Sequence, residues 1–133
     1  MPKVVKENEY LAYNGPKKRI EFYYTGAGRV LGVEFIMSLP DEEKARLAAL
    51  FAVMGDRGAI WNEEKFKHLD DKIYEFKAHH NRMLCFFFKD DLVIITHGFV
   101  KKRQKTPRKE IETAKAIQKD YVERSRRGSY YAG

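Results

Sequence analysis

The sequence predicts an α+β domain: a small twisted antiparallel sheet with two N-terminal helices and a C-terminal helix packed on it. Three observations predict this class. Short alternating or continuously apolar runs, which are typical of strands, lie in the middle of the chain. Amphipathic segments with helix-start residues lie before and after them. The length of 133 residues allows one domain with a single modest core.

Composition points to a folded protein away from membranes. Hydrophobic residues make up 44% of the chain and aromatic residues 14%, which argues against disorder throughout. No apolar run approaches the roughly 18 residues that a membrane span needs, and MPKVVKENEYLAYNG has no apolar core typical of a signal peptide. The single cysteine, Cys85, fits a reducing compartment. We therefore expect a cytoplasmic protein without membrane contact.

The net charge of +7 is concentrated in the last quarter of the chain. Residues 99–133 carry 11 basic and 4 acidic side chains, whereas the rest of the chain is nearly balanced. Such an asymmetry is typical of a surface that binds a polyanion, because Lys and Arg displace the counterions of phosphates. A solvated basic helix with a frayed tail explains the charge equally well, so charge alone leaves both open.

The first third of the chain predicts one strand and a short helix. Residues 1–17 mix polar residues with a Gly-Pro pair and predict a weakly ordered lead-in. Residues 19–24 alternate with period two, which predicts a strand. A short helix follows over residues 30–39 and is closed by Pro40.

A longer helix is predicted after Pro40. Asp41 is a suitable N-cap, and Gly55 a suitable stop. The apolar residues between them recur at helical spacing, which predicts one face in the core. These residues are Leu47, Leu50, Phe51 and Met54.

Three strands are predicted next. Residues 72–78 alternate, with Glu75 and Lys77 on one face. Residues 82–89 and 92–99 are continuously apolar, as expected for central strands covered on both sides. The polar residues between them predict a turn and an antiparallel hairpin.

The last helix is predicted to begin with Thr106 as N-cap and Pro107 as its first residue. Residues 125–133 are predicted to be a frayed tail. The apolar stripe between these ends comprises Ile111, Ala114, Ile117 and Tyr121.

Four stretches carry a family resemblance: YEFK at 74–77, RML at 82–84, FVKK at 99–102, and QKTP at 104–107 before a helix that contains EIE. With them, residues 18–124 resemble the RelE/ParE toxin superfamily, most closely its HigB-like, phage-derived branch of type II toxin–antitoxin systems. The resemblance implies the same RelE-like α+β fold that the residue patterns predict. It sets the expected boundaries of the toxin domain at residues 18–124.

The resemblance implies a toxin that arrests translation by cutting mRNA. Toxins of this kind use the 2′-hydroxyl of the RNA to attack the adjacent phosphate, without a metal or cofactor, and we expect cleavage to depend on the ribosome. The implied partners are the ribosome, mRNA and a cognate antitoxin, a small helix-turn-helix DNA-binding protein.

The resemblance also implies site residues. Arg82 matches the arginine that opens a strand in the family and would stabilise the phosphate; the alternative is a surface arginine paired with Glu75. Lys77 would bind phosphate or assist proton transfer. Lys101 would contact the scissile phosphate, unless it belongs to a generic basic patch. His97 would act as an acid or base, although strand alternation can equally make it a hydrogen-bonded core histidine.

A further set of cations would bind the backbone of the RNA or the ribosome without reading sequence. These are Lys102, Arg103, Lys105, Arg108 and Lys109. Adjacent histidines such as His79 and His80 make a poor metal pair, and the chain has neither CxxC nor HExxH. We therefore expect no metal site.

Two other functions remain open at this stage. A ParE-like toxin would inhibit gyrase without nuclease activity, but that branch generally lacks the strand arginine and lysines. A catalytically silent nucleic-acid-binding module, such as a phage remnant, would share the fold and the charge.

Overall fold

A computed structural model of the chain describes residues 10–131, so residues 1–9 of the predicted lead-in and 132–133 of the predicted tail lie outside the described residues. The elements follow one another in the order β1 Leu11–Asn14, β2 Arg19–Phe22, α1 Leu31–Met37, α2 Asp41–Arg57, β3 Phe66–Asp70, β4 Ile73–Ala78, β5 Asn81–Phe88, β6 Leu92–Val100 and α3 Arg108–Arg126.

The strands form one sheet in the order β1-β2-β6-β5-β4-β3. The predicted α+β class and the placement of its helices along the chain are confirmed, as is the β5–β6 hairpin. The sheet is not wholly antiparallel, however, because β2 and β6 run parallel. After β2 the chain crosses through α1 and α2 to the far edge at β3, and three successive reversals bring β6 back beside β2 in the same direction.

The helices cover both faces of the sheet. Phe51 of α2 packs edge-to-face on Phe76 of β4, with ring centroids 5.1 Å apart. Phe76 pairs with Met83 of β5. Tyr121 of α3 packs on Phe86, whose position three residues after Met83 places it on the opposite face. The apolar stripes predicted for α2 and α3 are buried, which confirms them.

Two edge strands were not predicted. β1 lies within the predicted weakly ordered lead-in, where it pairs with β2, and Tyr10 beside it is buried. β3 forms an antiparallel pair with β4 at the other edge. Both strands are short and only partly buried, so their apolar periodicity is weak.

The ends of α2 differ from the prediction. Gly55 lies inside the helix, and Gly58, with φ of 81°, ends it in the left-handed conformation. Gly55 serves close packing, since a Cβ there would lie 2.4 Å from a ring carbon of Tyr13. At the start, Pro40 is the N-cap residue and Asp41 the first residue of the helix.

The predicted frayed tail is wrong for residues 125–131. Tyr130 is 1% exposed, and its hydroxyl accepts a 3.0 Å hydrogen bond from the Tyr24 N–H. The Tyr131 hydroxyl donates to Glu21 at 2.7 Å. Aromatic side chains near the end of the chain therefore return to the sheet. Within residues 10–131, none of the helices has the length and apolar character needed to cross a membrane.

Gly98 of β6 allows α1 to approach the sheet. A Cβ at this position would lie 2.3 Å from a ring carbon of Phe35 and 2.5 Å from the sulfur of Met83. We expect Gly98→Ala to lower the free energy of unfolding by about 1–3 kcal/mol, because the buried Met83 and the partly buried Phe35 must shift. Urea denaturation measures this. Gly26→Ala is the matched control, since nothing lies within 4 Å of its Cβ; equal stability of the two variants would contradict the packing argument.

Candidate active site

Cationic side chains from neighbouring strands meet at one end of the sheet, on the face that α3 covers. The strand register places Lys67 of β3 beside Glu75 of β4, and Lys77 of β4 beside Arg82 of β5. Glu75 and Lys77 are two residues apart and share a face. Lys101 follows β6 and is held near the β4–β5 turn, because its N–H donates to the His80 carbonyl at 2.7 Å.

These side chains line two adjoining depressions, of about 300 Å³ and 690 Å³, which share Lys101 and Gln104. We call the two together the cationic cleft. Its basic lining residues are Lys67, Lys77, Arg82, Lys101, Lys102, Arg103 and Lys105. Both depressions are open to solvent, so an extended strand has access to them.

Glu75 is the one acidic side chain that lines the cleft among the described residues. It is 2% exposed, and its Oε1 accepts a 2.8 Å hydrogen bond from the hydroxyl of Thr106. The same oxygen lies 3.8 Å from Nε of Arg82. Thr106 therefore does not cap α3 as predicted; Pro107 is the N-cap residue, and Thr106 fastens the preceding loop to the sheet.

Arg82 is buried, with 7% of its surface exposed. Its Nη1 donates to the carbonyls of His79 at 2.6 Å and Asn81 at 3.0 Å, whereas its buried Nε has no hydrogen-bond partner among the described residues. The pairing with Glu75, which was the alternative to a phosphate contact, is present, but as an ion pair inside the protein and not on its surface. Burial lowers the pKa of Arg82 and the charge of Glu75 opposes this; a guanidinium stays protonated at neutral pH.

The pKa of Lys101 depends on its burial and on four charged side chains around it. Burial lowers its pKa most, and the positive charges of Arg82, Lys77 and Lys67 lower it further, while Glu75 raises it. A lysine whose pKa is lowered by cationic neighbours beside an open cleft is a candidate functional residue. A bound anion would relieve the repulsion among these groups.

Lys77 connects the cleft to the loop between α2 and β3. Its Nζ donates to the carbonyl of Glu63 at 3.1 Å, and its backbone N–H donates to the carbonyl of Lys65 at 2.8 Å. The side chain is only partly buried and lines the smaller depression.

His97 lies outside the cleft. It is 8% exposed, with Nε2 3.1 Å from Glu110 and Nδ1 3.0 Å from the hydroxyl of Thr96. In a neutral ring Nε2–H donates to the carboxylate of Glu110, and Nδ1 competes with the Leu84 carbonyl, 3.2 Å from the same hydroxyl, for the one proton of Thr96. The position matches a hydrogen-bonded core histidine, one of the two interpretations that the sequence allows. Two exposed imidazoles line the cleft instead, His80 in the larger depression and His68 in the smaller.

The cations predicted to bind an RNA backbone separate into two groups. Lys102, Arg103 and Lys105 are exposed along the cleft. Arg108 instead pairs with Asp70 at 2.6 Å and with Glu112 at 2.9 Å. Lys109 is exposed in the first turn of α3 and lines a neighbouring depression.

Lys67 and Thr106 were missed as members of the site, and Glu75 was considered only as a surface partner of Arg82. A signal for Lys67 exists in KFKHLDDKIYEFK, where two alternating runs flank an Asp-Asp-Lys turn and so predict a hairpin. Nothing local marks Thr106, because its partner lies 31 positions away. Within residues 10–131, no group of three or more His, Cys, Asp or Glu side chains is placed to hold a metal ion.

The comparisons with known proteins give one family. A sequence model described as "Phage derived protein Gp49-like (DUF891)" matches residues 34–119, more than half of the chain. The match runs from α1 into α3 and includes every basic residue of the cationic cleft. No curated protein matches the sequence.

The burial of Arg82 changes what its removal should do. We expect Arg82→Ala to lower the free energy of unfolding by about 3 kcal/mol, because it leaves the buried Glu75 carboxylate without its ion-pair partner. Urea denaturation measures this. Arg103→Ala, in the same depression but exposed, should cost less than about 1 kcal/mol. If both variants unfold at the same urea concentration as the wild type, the Glu75–Arg82 pair contributes nothing.

His97 should make stability depend on pH. Burial lowers the pKa of His97 below 6.5, more strongly than Glu110 raises it. As pH falls below about 6.5, the unfolded chain therefore binds a proton before the folded chain does. We expect the full contribution of His97 above that pH and its progressive loss toward the lower pKa of the folded state.

The measurement is the free energy of unfolding between pH 5 and pH 8. His97→Gln should flatten the dependence, since an amide does not titrate. His80→Gln, which removes an exposed imidazole, should keep the wild-type slope. The same slope in all three proteins would show that His97 titrates alike in the folded and unfolded states.

Proposed function

The chain belongs to the Gp49-like phage-derived family, part of the RelE/HigB-like toxin group of type II toxin–antitoxin systems, and we propose that it is a toxin that arrests translation by cleaving mRNA. The family implies an antitoxin partner. We further propose that the partner is a small helix-turn-helix protein, and that the toxin works on ribosome-bound mRNA.

The observation that carries the proposal is the gathering of four cations around the single buried carboxylate of Glu75. Ordinary surface cations lie apart and pair with carboxylates, as Arg108 does with Asp70. In the cleft, Lys67, Lys77 and Lys101 instead share one acidic neighbour with Arg82. Such a cluster is suited to a ligand that brings its own negative charge.

RNA is a ligand of this kind and also supplies its own nucleophile. Its 2′-oxygen attacks the adjacent phosphorus, the new 2′-O–P bond forms, and the P–O5′ bond breaks. The phosphoryl group gains negative charge on the way. A protein catalyses this step by holding the strand in line and by stabilising that charge with groups already in place. The products carry a 2′,3′-cyclic phosphate and a 5′-hydroxyl.

The residues divide these tasks by position. Lys77 and Lys101 reach the smaller depression and would contact the non-bridging oxygens of the scissile phosphate. Arg82 is buried and held by two backbone carbonyls and Glu75, and its fixed charge would strengthen the positive field. Lys102, Arg103 and Lys105 line the approach and would hold flanking phosphates.

Two protons must also move. The proton of the 2′-hydroxyl goes to a base, and the departing 5′-oxygen takes one from an acid. Lys101 suits the acid, because its lowered pKa makes its proton easier to release. His80 is one of two exposed imidazoles that line the cleft, with His68 in the smaller depression, and we assign the base to His80. We therefore assign to His80 the acid–base role that the sequence suggested for His97.

The proposal predicts that loss of a cleft lysine slows cleavage itself. Lys77→Gln and Lys101→Gln should each reduce the single-turnover cleavage rate on programmed ribosomes at saturating protein by roughly 100-fold, since each removes a preorganised charge from the transition state. Lys119→Gln is the control of equal charge change, because Lys119 is exposed on α3 outside the cleft. Its rate should match the wild type.

Mapping of RNA 5′ ends after induction in a bacterium tests the function directly. New 5′-hydroxyl ends within translated mRNA, with growth and translation arrested together, are the expected result. Arrest with intact mRNA and collapsing DNA supercoiling would identify a gyrase inhibitor instead. Neither arrest nor cleavage from the purified, folded protein would indicate a silent binding module. Equal rates for Lys119→Gln and Lys101→Gln would move the active site out of the cleft.

A further inference from the structure

Trp61 is the single tryptophan of the chain and is 90% exposed, more than any other large hydrophobic residue among those described. An indole normally buries most of its surface and so contributes strongly to a core or an interface. The immediate neighbours of Trp61 on its C-terminal side, residues 62–65, are polar and exposed. On its N-terminal side Ala59 and Ile60 are only partly exposed, so Trp61 is the exposed large hydrophobic side chain of this loop.

The loop that carries Trp61 is held in a defined turn. The carbonyl of Asn62 accepts hydrogen bonds from the N–H groups of Lys65 at 2.9 Å and Phe66 at 3.0 Å. The side-chain oxygen of Asn62 accepts another from the N–H of Glu64 at 2.9 Å. These bonds fix the backbone next to Trp61, which lowers the entropic cost of using the ring as a contact.

The turn is also fastened to the cationic cleft. Lys77 donates to the carbonyl of Glu63 through its side chain and to that of Lys65 through its backbone. Two residues span at most roughly 7 Å, so the Cα of Trp61 lies within about 7 Å of the Cα of Glu63. The backbone that carries Trp61 is therefore close to the Glu63 carbonyl that Lys77 binds, and Lys77 is a lysine that we assign to phosphate.

We propose that Trp61 is a stacking platform for one base of the single-stranded RNA whose phosphates occupy the cationic cleft. This rests on the proposed function and names the part of the substrate that the cations leave unbound. A nucleotide joins a charged phosphate to a flat, weakly polar base, and the surface offers an exposed aromatic ring on a loop that is bonded to a cleft lysine. A single exposed indole suits one base better than a protein partner, which would need a larger apolar patch.

Binding measurements should distinguish the contribution of the Trp61 ring from that of the positive charges in the cleft. Trp61→Ala should weaken binding of a non-cleavable, 2′-O-methylated RNA oligonucleotide roughly 5- to 150-fold, as for loss of one stacked base, without changing the salt dependence. Trp61→Phe should restore most of the affinity. Arg103→Gln should instead reduce the slope of log affinity against log salt concentration by roughly 0.7. Met37→Ala, which shortens another exposed side chain far along the chain on α1, should change neither.

When the excitation wavelength is chosen to avoid tyrosine, the fluorescence of the intact protein reports this ring alone, because no other tryptophan is present. Titration with the same oligonucleotide should quench the emission, with a midpoint equal to that of binding measured by filter retention. Oligonucleotides that lack a single base, scanned along the strand, should bind with normal salt dependence, and one position should abolish the quenching.

The outcomes distinguish this proposal from the one it rests on. RNA that is bound and cut while emission stays constant and Trp61→Ala binds normally would overturn the role of Trp61 alone. Emission that responds to the antitoxin but not to RNA would assign the ring to a protein interface and overturn it as well. Absence of RNA binding, both free and on ribosomes, would overturn both proposals.

Discussion

Adjacent strands bring lysine and arginine side chains to the same end of the sheet. The buried carboxylate of Glu75 supplies the negative charge that offsets the repulsion between them. Like charges held close inside a partly desolvated cleft repel strongly. Glu75 lies 3.8 Å from the Nε of Arg82 and is fixed by the hydroxyl of Thr106. The contact therefore does two things: it offsets repulsion within the sheet, and it ties down the loop that carries Lys101 and Lys105.

Glu75 neutralises only part of the positive charge that a ligand meets in the cleft. One carboxylate faces four cations, namely Lys67, Lys77, Arg82 and Lys101, so the cluster retains an excess of positive charge that only a bound anion neutralises. An RNA phosphate carries one negative charge in the ground state and more in the transition state of transesterification. A fixed positive field stabilises the second more than the first, which is the condition for catalysis as opposed to binding alone. Burial is the largest cause of the lowered pKa of Lys101, and the neighbouring positive charges lower it further.

Local patterns predicted the long or fully apolar elements well, because α2, α3 and the β5–β6 hairpin each bury a continuous stripe or strand. The edge strands β1 and β3 were not predicted, since each has only four or five residues and a neighbouring strand on one side only. The parallel pairing of β2 with β6 joins segments about 70 residues apart, which no local periodicity records. Contacts between distant segments also limited the prediction of the site. The resemblance named Lys77, Arg82 and Lys101, but the burial of Arg82 and the role of Thr106 depend on contacts across the fold.

Under the proposed function, the arrangement of the imidazoles favours a reaction in which the ribosome positions the RNA and the protein supplies the charge. His97 and His79 each have a carboxylate partner, Glu110 and Glu43, but neither histidine lines the cleft. His80 lines the cleft, yet none of the described side chains orients its ring with a hydrogen bond, and the ring of His68, which also lines it, has the backbone carbonyl of Asp71 as its partner and not a carboxylate. A general base works well when a third group fixes its direction. A site rich in fixed charge but poor in oriented acid and base groups accelerates the reaction most when its substrate arrives already in line. Ribosome-bound mRNA, held on both sides of a codon, is a substrate of this kind, whereas free RNA must lose its conformational freedom first.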